Sequence, residues 1–337
     1  MRETIFLSAH PPSPEAMTAP QARLLMLSDL MLLGVAVVWG TSYGVAKQAL
    51  QYYPVLGLLA LRFGLTFVLL SPALASLRSI PAASVARVTG AGVLLLGIFL
   101  CETFGLLLTR AANAAFLISL CVVLTPLIEW LLLSRRPARL EWVAVLLSLC
   151  GAWILAAGGA WPLSFHPGDA LILLAALLRA IYVCAMKHSM GRQPPPALAV
   201  TALQAGVVTI GSVAVAWAAG SNGAPTWPLP PLPSLPGFGE QGAFWFCLVY
   251  LVGACTLFAF FAQNYAIKRS SPTRVALLMG SEPAFGALFA WLWLGERVAP
   301  SGWIGGGLIV LASLLATVRW HRAIAPAHEV PRAVEPT

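Results

Sequence analysis

Charge is what this sequence has least of. Only 9% of its 337 residues are Asp, Glu, Lys or Arg, against 59% that are hydrophobic. That balance leaves too little polar surface to coat a soluble domain. Histidine is scarce where chemistry would need it: His10, His166, His188, His321 and His328 all lie in tails or at the ends of apolar runs. The six cysteines (Cys101, Cys121, Cys150, Cys184, Cys247 and Cys255) form no CxxC pair and have no neighbouring histidine. Zinc sites and a disulfide framework are therefore unsupported, and the thiols read as small packing residues. No HExxH, P-loop or dinucleotide-type glycine run occurs, which removes metal hydrolysis and ATP drive. Gly40-Thr41-Ser42-Tyr43-Gly44 has the GxSxG spacing but sits inside an apolar run, far from any histidine. A nucleophile elbow needs a strand-turn-helix setting and partners. Neither an enzyme nor a bound cofactor or metal is expected.

What the chain has in abundance is long apolar runs. A bilayer-spanning helix takes about 20 apolar residues, and ten such runs can be laid down, near 30–50, 54–73, 88–109, 112–133, 141–159, 169–188, 197–219, 241–267, 274–294 and 301–319. The runs are continuous and do not alternate every second residue, which favours helices over a barrel. Residues 1–28 are Pro-rich and polar without a signal-peptide core, and with 321–337 are expected to form cytoplasmic tails.

The runs repeat. Gly92, Leu96, Phe99, Ala115, Leu117, Trp130, Leu131, Leu133, Arg136 and Trp142 recur 161 residues later as Gly253, Leu257, Phe260, Ala276, Leu278, Trp291, Leu292, Leu294, Arg297 and Trp303. Lys47 recurs as Lys187 at a spacing of 140, so an insertion separates the two series. The proline-rich stretch Pro225 to Pro236, inside an expected external loop at 224–240, is where it fits. Each copy holds five runs, and an odd repeat places its second copy upside down in the membrane. The expected fold is thus an all-α membrane protein of ten transmembrane helices, as two inverted five-helix repeats at 29–160 and 161–320.

The net charge of +8 is a topology signal. With the N-terminus inside, fifteen Lys and Arg fall on the cytoplasmic side and three, Lys47, Arg110 and Arg297, on the other. This positive-inside asymmetry puts both termini in the cytoplasm and argues against a nucleic-acid partner. Trp161, Trp227 and Trp245 fall at expected interfaces as bilayer anchors. Gly40 with Gly44, and Gly302 with Gly306, have the spacing that lets membrane helices approach closely.

The ordered motifs resemble a known family. Trp39-Gly40-Thr41-Ser42-Tyr43 with Lys47, then Leu61-Arg62-Phe63, resembles the opening of an EamA-type domain of the drug/metabolite transporter superfamily. Asn113-Ala114-Ala115-Phe116-Leu117, Thr125-Pro126 and Trp142 resemble the end of the first copy. Gln263-Asn264-Tyr265-Ala266, Glu282-Pro283 and Leu294-Gly295-Glu296-Arg297 do so for the second. The resemblance covers roughly residues 30–320. It implies two inverted halves, a substrate cavity between them and alternating access for a small-molecule substrate, with export of a metabolite or drug as the expected direction. It does not imply which substrate, coupling ion or oligomeric state. Two departures stand out: Ser134-Arg135-Arg136 replaces the Gly-Glu-Arg pattern, and Pro126 lies one turn away from Val122, the counterpart of Pro283. The halves are expected to move unequally.

Ionisable residues inside the runs are the best pointers to function, because each costs about 2.5–3.5 kcal/mol at the bilayer centre. Four are singled out, the bases Arg62 and Arg179 and the acids Glu102 and Glu282, a balance that invites pairing. Arg62 is taken as a structural charge of the family framework, whereas Arg179 suits a structural or a cavity role equally. Glu102 and Gln263 occupy equivalent repeat positions and are expected to line the pathway. Glu282 joins a carboxyl to the helix breaker Pro283; a proton carrier that gates with Pro283 and Pro126, and a permanent salt bridge to an arginine, both fit. Trp39, Tyr43, Tyr182 and Tyr265 lie on spans that face the cavity in the resembled family. A polytopic membrane enzyme and a permease-derived sensor are the alternatives; the first lacks a catalytic histidine or metal cluster. The topology predicts that cysteines placed within 222–238 react with an impermeant thiol reagent on intact cells. Cysteines near 136 or 190 should react only after permeabilisation. Labelling of both sets from one side would remove the inverted arrangement.

Overall fold

The computed structural model describes residues 19–109, 111–157, 167–190, 194–220, 236–237, 242–293 and 300–322. Both tail ends, Arg110, Trp161, Trp227, most of the proline-rich stretch and Gly295-Glu296-Arg297 lie outside the described residues. Among the described residues every element is helical: α1 (Ala19–Ala49), α2 (Val55–Leu70) continued by a 3₁₀ segment (Ser71–Ser79), α3 (Ala82–Leu108), α4 (Ala111–Ser119), α5 (Cys121–Leu133) and α6 (Arg139–Ala157). The second half holds α7 (Pro167–Ser189), α8 (Ala197–Gly220), α9 (Gly242–Val252), a π-helical turn (Gly253–Phe258), α10 (Ala259–Arg269), α11 (Pro272–Met279), α12 (Glu282–Trp293) and α13 (Pro300–Arg322).

Among the described residues, seven stretches are long and apolar enough to cross a bilayer: Arg23–Ala49, Val55–Ser79, Ala82–Leu108, Ala114–Leu133, Pro167–Ser189, Ala197–Ala219 and Gly242–Arg269. The other three expected runs fall on α6, on the broken pair α11–α12, and on α13, whose apolar part is the shorter Pro300–Leu315. One expected boundary moves. α1 begins at Ala19, so the end of the 1–28 tail is helical and continuous with the first span.

Two runs are broken at matching places. Leu120 separates α4 from α5, and Gly280-Ser281 separates α11 from α12; these points share the 161-residue spacing. Pro283 sits in the first turn of α12, where its missing N–H is no loss. Pro126 is instead inside α5. The break therefore belongs to the position in the repeat and not to the proline.

Packing follows the same equivalence. α3 packs on α7, and α10 on α1; α5 packs on α7, and α12 on α1. α2 with α8, α5 with α11, and α6 with α13 also meet. Interchanging the halves maps each of these pairings onto another or onto itself. The buried faces are small: Ala175, Ala176 and Ala180 on α7 and Ala199, Ala202 and Ala205 on α8, as suits helices held by close van der Waals contact without a hydrophobic drive. Outward faces carry Leu131, Ile210, Phe246 and Val249, side chains that lipid covers.

Several glycine contacts with neighbouring backbone are tight enough to exclude a side chain, among them Gly168 of α7 on the Gly105 carbonyl of α3 and the two that follow. A Cβ on Gly151 of α6 would stand 2.6 Å from the Gly305 carbonyl oxygen of α13. One on Gly40 of α1 would stand 2.5 Å from the Glu282 carbonyl oxygen and 2.8 Å from the Gly286 nitrogen. Of the sequence-expected small-residue pairs, Gly44 meets open space and Gly306 only an ordinary contact with Ala284. Close approach thus uses Gly305, one residue away. Lys47 Nζ donates to the Thr109 carbonyl (2.7 Å) at the end of α3, and Lys187 Nζ to the Ile267 carbonyl (2.9 Å) near the end of α10. The repeated lysines thus each serve the carbonyl end of an equivalent helix.

Ser134 is the residue at positive φ, 53°, capping α5 in the left-handed region. Its counterpart in the second copy is Gly295, the residue that tolerates this conformation best. Ser134→Gly should stabilise the protein by about 1 kcal/mol, read as a raised melting midpoint in detergent. Gly151→Leu should do the reverse, costing about 1–3 kcal/mol as α6 and α13 are forced apart.

Candidate functional site

Where the two halves meet, α1, α2, α3, α7 and α10 enclose a cavity of about 30 Å³, room for one or two water molecules. α1 contributes Trp39, Ser42 and Tyr43; α2 contributes Arg62; α3 contributes Leu95, Ile98, Phe99 and Glu102. Arg179 and Tyr182 come from α7, and Phe260 and Gln263 from α10. The lining is organised by the repeat. Glu102 and Gln263, and Phe99 and Phe260, are equivalent at the 161-residue spacing, and Trp39 and Arg179 at 140. Phe99 and Phe260 stack with centroids 5.8 Å apart, and the Arg179 guanidinium lies 4.4 Å from the Trp39 ring centroid.

Arg179 is anchored by Glu282. Its Nη2 donates to Oε1 at 2.9 Å and Nη1 reaches Oε2 at 3.5 Å, both side chains being buried. The Tyr43 hydroxyl donates to the same Oε2 at 3.2 Å. Glu282 does not line the cavity itself; it fixes two groups that do. An Arg-over-Trp stack adds a cation–π term on the open face of the guanidinium.

Arg62 is held differently. Nε donates to Thr256 Oγ1 at 2.7 Å and Nη2 to the Cys255 carbonyl at 3.2 Å, while the rings of Phe63 and Phe99 lie 5.4 and 5.0 Å from its central carbon. Trp39 Nε1 donates to the same Cys255 carbonyl at 3.0 Å. That oxygen lies in the π-helical turn Gly253–Phe258. π turns are rare and gather at functional sites, and this one presents a backbone acceptor to two cavity side chains.

Glu102 has neither hydrogen bond nor ion pair among the described residues, although Arg62 and Arg179 are both within electrostatic reach. Gln263 is 1% exposed, and its Oε1 is buried without a partner among the described residues. Tyr182 donates to Gln204 Oε1 (3.2 Å), which also accepts from Asn264 Nδ2 (3.2 Å).

Trp39, Tyr43, Glu102, Arg179, Tyr182 and Gln263 thus come together around one space, with Arg62 beside them. Tyr265 does not join them. Two residues beyond Gln263 it points about 200° away on the same helix, where Arg269 covers its ring at 3.6 Å. Pro126 and Pro283 lie in α5 and α12, outside the lining.

A second polar layer escaped the sequence reading. Arg274 makes a two-pronged pair with Asp29, with Nε to Oδ1 at 3.1 Å and Nη2 to Oδ2. Glu129, fully buried, accepts from Thr273 N (2.9 Å) and Arg135 Nη1 (2.7 Å). The start of α11 is thereby tied to α1 and to α5. Glu129 was visible as a charge inside an apolar run. Asp29 shares its 140-residue spacing with Asp169, whose Oδ1 accepts from Thr109.

An EamA-like transporter family model matches residues 26–157 and 166–318. An uncharacterized transporter of Archaeoglobus fulgidus is 24% identical over 294 residues, 87% of each chain. The uncharacterized transporter YwfM of Bacillus subtilis is 24% identical over 206 residues, 61% of this chain and 64% of that one. A crystal structure 20% identical to this chain covers 88% of it and 98% of its own length at a TM-score of 0.64, a likeness of fold. With both halves matched and the apolar helices in place, this chain belongs to the EamA-like transporter family.

Proposed function

We propose that this protein is a secondary active transporter of the bacterial inner membrane that moves a small metabolite or drug outward by alternating access between two inverted five-helix halves. The observation that carries it is the cavity at the junction of the halves, with repeat-equivalent side chains facing one another across it. The paired packing of α3 on α7 and α10 on α1, the matching helix breaks and the equivalent lysines support the inverted arrangement. The cavity's size supports a moving one: a space for one or two waters holds no metabolite, so loading requires the walls to part.

Two closures bracket that space. On the side the positive-inside rule assigns to the cytoplasm, Asp29–Arg274 and Glu129–Thr273 bind α11 to α1 and α5. Toward the other side, Gly40 of α1 lies against the backbone of Glu282 and Gly286 in α12. Both closures act on the broken segment α11–α12, and rocking it about Gly280-Ser281 would open one as it keeps the other. Export is adopted from the family resemblance. Faster loss from preloaded cells expressing the protein, with no gain in uptake, would support that direction.

Glu102→Gln and Gln263→Ala should each lower transport while leaving membrane insertion intact; normal flux from both would move the pathway elsewhere. Glu282 is read as the fixed partner of Arg179. Glu282→Gln should then lower folded yield, since a buried charge left unpaired costs roughly 3–5 kcal/mol. Normal yield with loss of pH-gradient-driven flux would instead make Glu282 the proton carrier. Wild-type flux indifferent to an imposed pH gradient would end proton coupling.

A further inference from the structure

The hydrogen-bond inventory of the cavity is lopsided. The indole of Trp39, the hydroxyls of Ser42, Tyr43 and Tyr182, and the guanidiniums of Arg62 and Arg179 each already donate to a protein oxygen. The cavity groups with no hydrogen bond among the described residues are the Glu102 carboxylate and the Gln263 amide, whose Oε1 is fully buried. A carboxylate is acceptor-only when ionised, so Glu102 decides what kind of partner is missing, and Gln263 can present its oxygen to the same partner. A buried polar atom such as Gln263 Oε1 is ordinarily satisfied, and Glu102, partly buried, lines the same cavity from the equivalent point of the repeat.

Charge points the same way. Arg179 is neutralised in direct contact by Glu282, and Arg62 is held by Thr256, the Cys255 carbonyl and two ring faces. A carboxylate ligand would find Arg179 already paired with Glu282 and would meet Glu102 as a like charge. A ligand with a positively charged nitrogen would meet a free carboxylate, a free amide oxygen and the rings of Trp39, Phe99 and Phe260, which also favour cations.

From this we infer that the cavity selects amines that are protonated at neutral pH, with the ammonium group held by Glu102 and Gln263 Oε1 and the apolar body against the aromatic wall. The inference rests on the transport reading of the same cavity and narrows its substrate to one chemical class. It assigns Glu102 the role of ammonium acceptor and Gln263 that of a second acceptor that sets orientation.

The test is calorimetric titration of the purified full-length protein in lipid nanodiscs with four probes of one shape: phenethylamine, 2-phenylethanol, 3-phenylpropionate and phenylalanine. Phenethylamine should bind at least tenfold more tightly than the other three. Glu102→Gln should weaken it at least tenfold and leave the weak binding of 2-phenylethanol unmoved. Should Glu102→Gln fail to fold, Gln263→Leu, which keeps the volume and removes the oxygen, should weaken phenethylamine several-fold with the same indifference toward the alcohol. Tighter binding of the acid or the amino acid, equal binding of all four, or no binding of the amine would overturn the assignment. Failure of the transport reading looks different: phenethylamine bound in the Glu102-dependent way, yet not carried into proteoliposomes.

Discussion

The guanidinium of Arg179 is buried among apolar helices, and its need for a countercharge organises the centre of the molecule. An unpaired charge in hydrocarbon is too costly to keep. Glu282 supplies the countercharge from a different helix, which fixes α12 against α7. Tyr43 bonds the same carboxylate from α1, and the Trp39 ring covers the guanidinium. Three helices, two from the second half and one from the first, are therefore held in register by one ion pair. The cavity lies beside it because the groups that satisfy Arg179 cannot also fill the space they surround.

Internal repetition built this centre, and divergence within the repeat gave it polarity. Trp39 and Arg179 are equivalent, yet one is a ring and the other the cation that stacks on it. Glu282 corresponds to Cys121, a buried thiol. Glu102 corresponds to Gln263, so the same position carries a charge on one side and an amide on the other. The ion pair thus belongs wholly to the second half, and the first half responds with aromatic and neutral groups. The two halves share an order of packing and differ in charge where they meet.

The broken helices show how backbone chemistry contributes. A helix interior hides its carbonyls, but the π turn of residues 253–258 brings the Cys255 oxygen to Trp39 and Arg62 together. Thr256 adds its hydroxyl to the same arginine while bonding the Leu251 carbonyl one π turn back. At Gly280-Ser281 the interruption leaves α11 short, and its start is pinned by side chains from two other helices. In lipid, irregular backbone survives only where protein or a cavity satisfies it. The π turn sits beside the cavity, and the Gly280-Ser281 break follows a segment tied to the first half.

Much was legible from the chain alone, because membrane insertion is decided locally. Run length fixes which segments can span, and charge scarcity makes each intramembrane ionisable residue conspicuous; Arg62, Glu102 and Arg179 stood out on those grounds, Gln263 as the repeat counterpart of Glu102, and the four meet at one cavity. The 161- and 140-residue spacings carried the equivalence of the halves, including the lysines that bond matching helix ends. Which acid serves which arginine was not legible, since partners 103 residues apart in sequence are chosen by helix packing. Tyr265 lies outside the cavity lining, since a motif gives a residue's helix but not its rotation about that helix. The π turn, the Asp29–Arg274 tie and the shift of close packing from Gly306 to Gly305 have no local signature. Sequence determined which segments enter the membrane and which polar groups go with them; only tertiary packing, where one helix's face becomes another's solvent, decided which of those groups find partners and which are left facing the cavity.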